Sequence, residues 1–283
     1  MPVSTYLCSV HYRFFSHQNG KIAYRKFGAG EELLIAIHGF GDRSSLFDVL
    51  EDGLGKKYTV YAFDLPYHGQ TEWNKEYFDK VDVLSFIELV LEQEQRQEFA
   101  LMGYSMGGRI IQILLPKIIS QVTDLYLIAP DGIETKWMFN FNILPPFVRR
   151  VFQRLLQNPE RFFKIIGWIY ERKFVTKFIH DFAYNHLKTA NRRHRLFCTW
   201  NALHHFKTKP KKFKKLLRAH QLSTNLYYGK RDEVIRASSG EWLKAGLLNV
   251  QLYLLDEGHL LIGEKLNQLL HQQLNKHTIS SNI

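Results

Sequence analysis

Cysteine is scarce: the 283 residues hold only Cys8 and Cys198, far apart and without metal-ligand spacing, so neither a disulfide framework nor a zinc site is expected. Both read as free thiols of a cytoplasmic protein. Long apolar runs are also missing. No segment approaches the roughly 18 apolar residues needed to span a bilayer, and the N-terminal MPVSTYLCSVHYRFF lacks a basic stretch leading into an apolar one. A soluble, non-exported chain is therefore expected. Internal repeats and low-complexity tracts are absent as well, and 45% apolar residues suits a globular protein with a substantial core. Acidic residues are depleted in one place only. Residues 134–218 carry 20 Lys/Arg against 4 Asp/Glu, a charge of +16, whereas the rest of the chain carries 18 against 23, a charge of −5. The net +11 is thus the property of one segment, and no nucleic-acid recognition motif accompanies it, so nucleic acid is not expected as a partner.

Strand-like and helix-like segments alternate through the first part of the chain, the pattern of a mostly parallel sheet covered by helices. Segments 10–15 and 21–27 flank Asn19-Gly20, a dipeptide suited to a type I′ hairpin turn. Buried-strand runs follow at 33–37, 58–63, 99–102 and 125–129, and stop at His38-Gly39, Asp64, Gly103 and Pro130. Beyond residue 133 the strand pattern gives way to stretches such as FVRRVFQRLLQNPERFFKIIGWIYERKFVTKFIHDF, with apolar residues at helical spacing. Strands resume at 224–228 and 250–254, and an amphipathic segment from 262 to about 274 closes the chain. The expected division is a core of residues 1–132 and 219–283 with a helical insert of 133–218.

Gly103-Tyr104-Ser105-Met106-Gly107 has the form G-x-S-x-G, set between the apolar run FALM and the helix-compatible run GRIIQILL. A serine on a sharp strand-to-helix turn is strained, and small residues two positions either side let neighbouring chain pass close. Its hydroxyl then stands exposed at a helix N-terminus, where the Met106 amide can stabilise charge developing on a carbonyl oxygen. A serine hydroxyl needs an imidazole to take its proton, and the imidazole needs a carboxylate to fix its tautomer. Asp232 in GKRDEV and His259 in DEGHL follow the two late strands in the matching chain order. Asp131 in APDG, after an earlier strand, is a second position for the acid, and Glu233 adjoins Asp232. The Phe40 amide, in the loop His38-Gly39-Phe40-Gly41, is the candidate second oxyanion donor. His38, Asp64 and His68 read as structural, holding the loops around that donor. No step calls for a metal or an organic cofactor, and none is expected.

Through HGFGD, DLPYHGQ, GYSMGGR, GKRDEV and EGHL, in that order, the sequence resembles the α/β-hydrolase superfamily over residues 10–132 and 220–275. The resemblance implies a mostly parallel eight-stranded sheet with helices on both faces, and a helical cap, the insert, over the active site. DLPYHG and GYSMGGR also look like the menaquinone-pathway succinyl-hydroxycyclohexadiene-carboxylate synthases, which eliminate pyruvate. That second likeness implies that Tyr104 and Arg109 help to hold an anionic substrate.

The leading expectation is a serine hydrolase taking a small-molecule ester or acyl substrate. A lyase or carbon–carbon hydrolase using the same residues, and a non-catalytic binding protein on the same fold, are the alternatives. In the insert, aromatics from Trp137 and Phe152 to Phe162, Phe163 and Trp168 interleave with basic residues. That pattern suits a solvated basic face, peripheral contact with an anionic membrane, or a pocket for an apolar ester with an acidic end.

Overall fold

The computed structural model of the chain describes residues 12–133, 158–174 and 187–280, together with residues 154, 177, 180, 181 and 184. Cys8, Trp137 and Phe152 lie outside the described residues. The strands are β1 (Arg13–His17), β2 (Gly20–Phe27), β3 (Glu32–Ile37), β4 (Tyr58–Phe63), β5 (Glu72–Trp73), β6 (Phe99–Tyr104), β7 (Val122–Ile128), β8 (Ser223–Gly229) and β9 (Val250–Leu255). They form one sheet in the order β1-β2-β4-β3-β6-β7-β8-β9, with β5 paired to β2 off that path. Strands β3, β4, β6, β7, β8 and β9 are mutually parallel, and β2 pairs antiparallel with β1, β4 and β5. The eight expected strands are thus joined by a ninth of two residues, too short to leave a mark in the sequence.

The central parallel strands β3, β4, β6 and β7 are largely buried on both sides because helices cover both, whereas the edge strand β9 keeps exposed residues such as Leu254. Side chains alternate between two cores with period two. Leu33, Ile35 and Ile37 of β3 and Phe99 and Leu101 of β6 face one core, while Leu34, Ala36, Ala100, Met102 and Tyr104 face the other. The first core is closed by α2 (Lys80–Glu94) and α3 (Met106–Ile118), through Phe86, Val90, Ile110 and Leu114. The second is closed by a 3-10 turn (Ser44–Leu50), α1 (Glu51–Leu54) and the C-terminal α8 (Glu264–Ser280), through Phe47, Leu54, Leu266 and Leu270. Each of these fully buried aliphatic or aromatic side chains contributes about 1.5–3 kcal/mol of transfer free energy.

Local signals fix the ends of the elements. Asp79 caps α2 by accepting from Val81 N at 2.7 Å, and Asp82 Oδ2 reaches back to Asp79 N at 2.9 Å, a reciprocal capping box. The β1–β2 hairpin differs from expectation in register. His17 pairs with Gly20, so the two loop residues are Gln18 and Asn19. Gly20 instead sits in β2, where a Cβ would fall 2.0 Å from Glu72 O of the two-residue β5. Pairing with β5 therefore decides the turn, not the dipeptide preference.

Between β7 and β8 the described helices are α4 (Pro159–Glu171), α5 (Ala190–Leu203) and α6 (Pro210–His220), followed after β8 by α7 (Ala237–Lys244). Phe162, Leu187 and Leu196 form a small cluster of their own, against which Phe40 packs. Phe206 and, from α6, Phe213 and Leu217 belong to the first core of the sheet. Cys198 is a buried free thiol. Among the described residues no helix is long and apolar enough to cross a membrane.

Candidate active site

Ser105 is the single residue between β6 and α3, with φ 48° and ψ −110°. A positive φ for a non-glycine residue costs on the order of 1–3 kcal/mol, so the surroundings must hold it. Ser105 N donates to Ile128 O at 2.9 Å, and Ser105 O accepts from Asp131 N at 3.0 Å. The helix enters tightly against the neighbouring strand: a Cβ on Gly107 would lie 2.0 Å from Ile37 O. Only glycine leaves room there, which is the physical content of the second glycine in the motif.

His259 lies in the loop from β9 to α8, and Asp232 in the loop from β8 to α7. The two loops are laced by their backbones, with Arg231 N donating to Glu257 O at 3.0 Å and Lys230 N to Leu255 O at 2.8 Å. A Cβ on Gly229 would sit 2.3 Å from Gly258 O, so their close approach depends on that glycine. As a result His259 Nδ1 is 2.8 Å from Asp232 Oδ2, and His259 Nε2 is 3.2 Å from Ser105 Oγ. Asp232 Oδ1 accepts from Val234 N and Ile235 N at 2.8 and 2.9 Å, which fixes the carboxylate. The Asp232 side chain is fully buried, and that of His259 is 18% exposed. The structure therefore brings Ser105, His259 and Asp232 into one hydrogen-bonded line.

The other residues singled out in the sequence surround this line. Met106 is the first residue of α3, where backbone amides lack partners within the helix. Phe40 lies in the loop after β3, its ring edge-on to His68 at 6.1 Å. His38 is fully buried, accepts from Leu65 N through Nε2 at 3.0 Å and donates from Nδ1 to Gly39 O at 2.7 Å. This is a neutral imidazole with both nitrogens used, and burial lowers its proton affinity accordingly. Asp64 accepts from Ser44 N and Gln70 N at 2.6 and 2.7 Å, tying two loops together. Tyr104 donates from its hydroxyl to His259 O at 3.0 Å, and Arg109 Nε lies 2.8 Å from Asp131 Oδ2. Asp131 is thus engaged by Arg109, not by His259.

A sequence profile of the alpha/beta hydrolase family matches residues 34–265. The chain belongs to the alpha/beta hydrolase family. It is 28% identical over 121 residues to the dihydrolipoyllysine-residue acetyltransferase component of the acetoin cleaving system of Cupriavidus necator (43% of this chain, 32% of that one). It is 31% identical over 100 residues to putative esterase/lipase 2 of Mycoplasma pneumoniae (34% and 37%). The alignments thus span about a third of those two proteins. Among solved structures, a thermophilic esterase from Thermogutta terrifontis superposes with a TM-score of 0.67 at 18% identity, covering 94% of this chain and 98% of that one.

Two charged residues of this alpha/beta hydrolase site had no role in the sequence reading. Asp42, the last residue of HGFGD, turns its carboxylate back over Gly39, where a Cβ would meet Asp42 Oδ2 at 2.8 Å and the Tyr104 ring at 3.0 Å. Burial pushes the Asp42 carboxyl above the usual carboxylate range, against the opposing pull of His38, His259 and Arg195. Arg195, from α5, acts through its charge on both Asp42 and His38, and its Nε is buried without a hydrogen-bond partner. The motif string itself marks Asp42. Nothing in the composition of a basic segment marks Arg195 among its neighbours. Among the described residues no group of three or more His, Cys, Asp or Glu side chains could hold a metal ion.

Proposed function

We propose that the protein is a serine hydrolase of carboxylic esters or thioesters, with Ser105 as nucleophile, His259 as general base and acid, and Asp232 as the residue that orients His259. The observation that carries this reading is the hydrogen-bonded line from Ser105 through His259 to Asp232 at the N-terminus of α3. Ser105 Oγ attacks the substrate's carbonyl carbon as its proton passes to His259 Nε2. The carbonyl oxygen becomes negative and is held by the amides of Met106 and Phe40. The adduct collapses as His259 gives the proton to the departing alcohol or thiol, leaving the acyl group on Ser105. Water then loses a proton to His259, attacks the acyl carbon and releases the acid, and the proton returns to Ser105 Oγ. Both halves need a neutral imidazole with its proton on Nδ1, the tautomer that Asp232 Oδ2 selects as acceptor.

The engagement of Tyr104 with His259 O and of Arg109 with Asp131 favours hydrolysis over elimination from an anionic substrate, because both side chains are spent on the protein itself. The names of the Mycoplasma pneumoniae and Thermogutta terrifontis proteins point to the same reaction class. In this reading residues 133–218 cap the site, with Phe40 in contact with the Phe162 cluster above it. A fluorophosphonate probe reacts only with an activated serine. It should label the wild type at Ser105, while Ser105→Ala is neither labelled nor active on a panel of acyl esters and thioesters. A folded wild type that is neither labelled nor active on that panel overturns the proposal.

A further inference from the structure

Helix α4 has two unlike faces. Phe162 is buried with Leu187 and Leu196, and Phe163 and Ile166 pack against that cluster, which in turn touches Phe40. On the opposite face, Ile165 and Trp168 are 42% and 51% exposed, one helical turn apart. Phe174, just past the helix, is 73% exposed, while Tyr184 sets its ring 5.2 Å from that of Phe163 on the inner side. Exposed cations alternate with Ile165, Trp168 and Phe174 along the chain. Arg161, Lys164, Arg172 and Lys173 are exposed, and the Arg172 guanidinium carbon lies 4.7 Å from the centre of the Trp168 ring. Between residues 158 and 177 five Lys/Arg stand against two Glu, within a segment of net charge +16.

We propose that this outer face of α4, continued by Phe174, is a docking surface for an anionic lipid bilayer, with the helix lying flat at headgroup level. Single exposed apolar residues are ordinary, but large ones gathered in one stretch, here at 42–73% exposure, mark an interaction surface. A second copy of the chain would bring the same positive segment against itself. An acidic protein would answer the charge, but it gives no reason for indole and phenyl rings to protrude between the cations. A bilayer answers both features. Trp and Phe settle at the boundary between headgroups and acyl chains, while Lys and Arg extend their stems along the apolar surface and place their charges on lipid phosphates. The inner face of α4 points to the Phe40 loop, so a docked protein would hold the Ser105 side about one helix diameter, roughly 10 Å, from the headgroups. This proposal is independent of the chemistry assigned to Ser105.

The test is co-sedimentation of the full chain with vesicles of equal parts phosphatidylglycerol and phosphatidylcholine, set beside pure phosphatidylcholine. Binding to the anionic vesicles alone is expected. It should weaken at least about tenfold between about 0.1 and about 1 M sodium chloride, where the Debye length falls from ~10 to ~3 Å. Trp168→Ser with Phe174→Ser should weaken binding about tenfold or more, and each of Arg161→Gln and Lys164→Gln about fivefold. Lys21→Gln, in an exposed pair with Glu72 on the sheet edge, should leave it unchanged. All the altered side chains are exposed, so unchanged thermal unfolding verifies that each variant folds. Absence of wild-type binding to anionic vesicles overturns the proposal. So does equal binding by the Trp168/Phe174 double variant. Self-association in sedimentation velocity that the double variant abolishes would assign the face to a second copy instead. No substrate enters the measurement, so failure of the hydrolase assignment would leave this result standing.

Discussion

The sheet and the insert solve different problems with different residues. In the sheet, Leu33 to Ile37 alternate between two cores, and each side chain's place follows from its position along a strand buried on both faces. In the insert, Phe162, Leu187 and Leu196 form a small buried cluster among the described residues, and the net charge is concentrated there, +16 against −5 elsewhere. The sheet sets the geometry of Ser105, Asp232 and His259 from the ends of β6, β8 and β9. The insert meets it through Phe40 and through the charge of Arg195 on Asp42 and His38. The contrast teaches that the Ser105–His259–Asp232 line rises from a sheet whose central strands are buried on both faces, while part of the described insert packs round a much smaller apolar cluster.

The largest expected effect of a single change therefore lies at a strand end. Asp232→Asn keeps the size of the side chain but removes the charge that, in the proposed mechanism, stabilises a protonated His259 and the acceptor that selects its tautomer. The expected loss in kcat is about 10³–10⁴-fold on any ester that the wild type hydrolyses, with KM little changed. A loss below tenfold would mean that another carboxylate, such as Asp42, can serve. Next come changes of stability. Ile35→Ala empties space between two packed layers and should cost about 2–5 kcal/mol in urea unfolding. Phe162→Ala removes a larger side chain, yet it should lower global stability by less, because the insert can open locally before the sheet unfolds. Equal losses would show that sheet and insert unfold as one unit.

The motifs were legible because backbone geometry dictates residue type there. Gly107 sits where any Cβ would strike Ile37 O, and Ser105 marks the one-residue turn. The central parallel strands were equally plain, since burial on both faces writes continuous apolar runs. The limits of the hairpin were not, because its register depends on a two-residue strand fifty residues away. The charge boundary at Arg218 also differs from the packing boundary: Phe206, Phe213 and Leu217 already belong to the first sheet core while their neighbours remain basic. A helix with one buried stripe can carry lysines on its other side, so composition alone does not reveal that change of partner. Arg195 stayed hidden for a related reason, as its role depends on which way one side chain of α5 faces.

The smallest expected effect sharpens the junction between the two regions. His38 stands where Asp42, Asp64 and Arg195 all act on it, and burial lowers its proton affinity below the ordinary histidine value of 6.5. The unfolded chain therefore binds a proton that the folded chain resists. The neutral His38 bonds to Leu65 N and Gly39 O thus contribute fully above pH 6.5 and are progressively lost as pH falls below it. His17, also lowered by burial, adds a slope of the same sign. Asp42 acts with the opposite sign, since its carboxyl, raised by burial, takes up a proton in the fold more readily than in the unfolded chain, at pH values above its ordinary 3.8. His38→Gln places a non-titrating acceptor near Leu65 N. It should lower Tm by a few degrees at pH 8 and make the decline of Tm between pH 7 and pH 5 shallower than in the wild type. An unchanged slope, measured by thermal unfolding across that range, would show that His38 is not the proton acceptor that weakens this junction in acid.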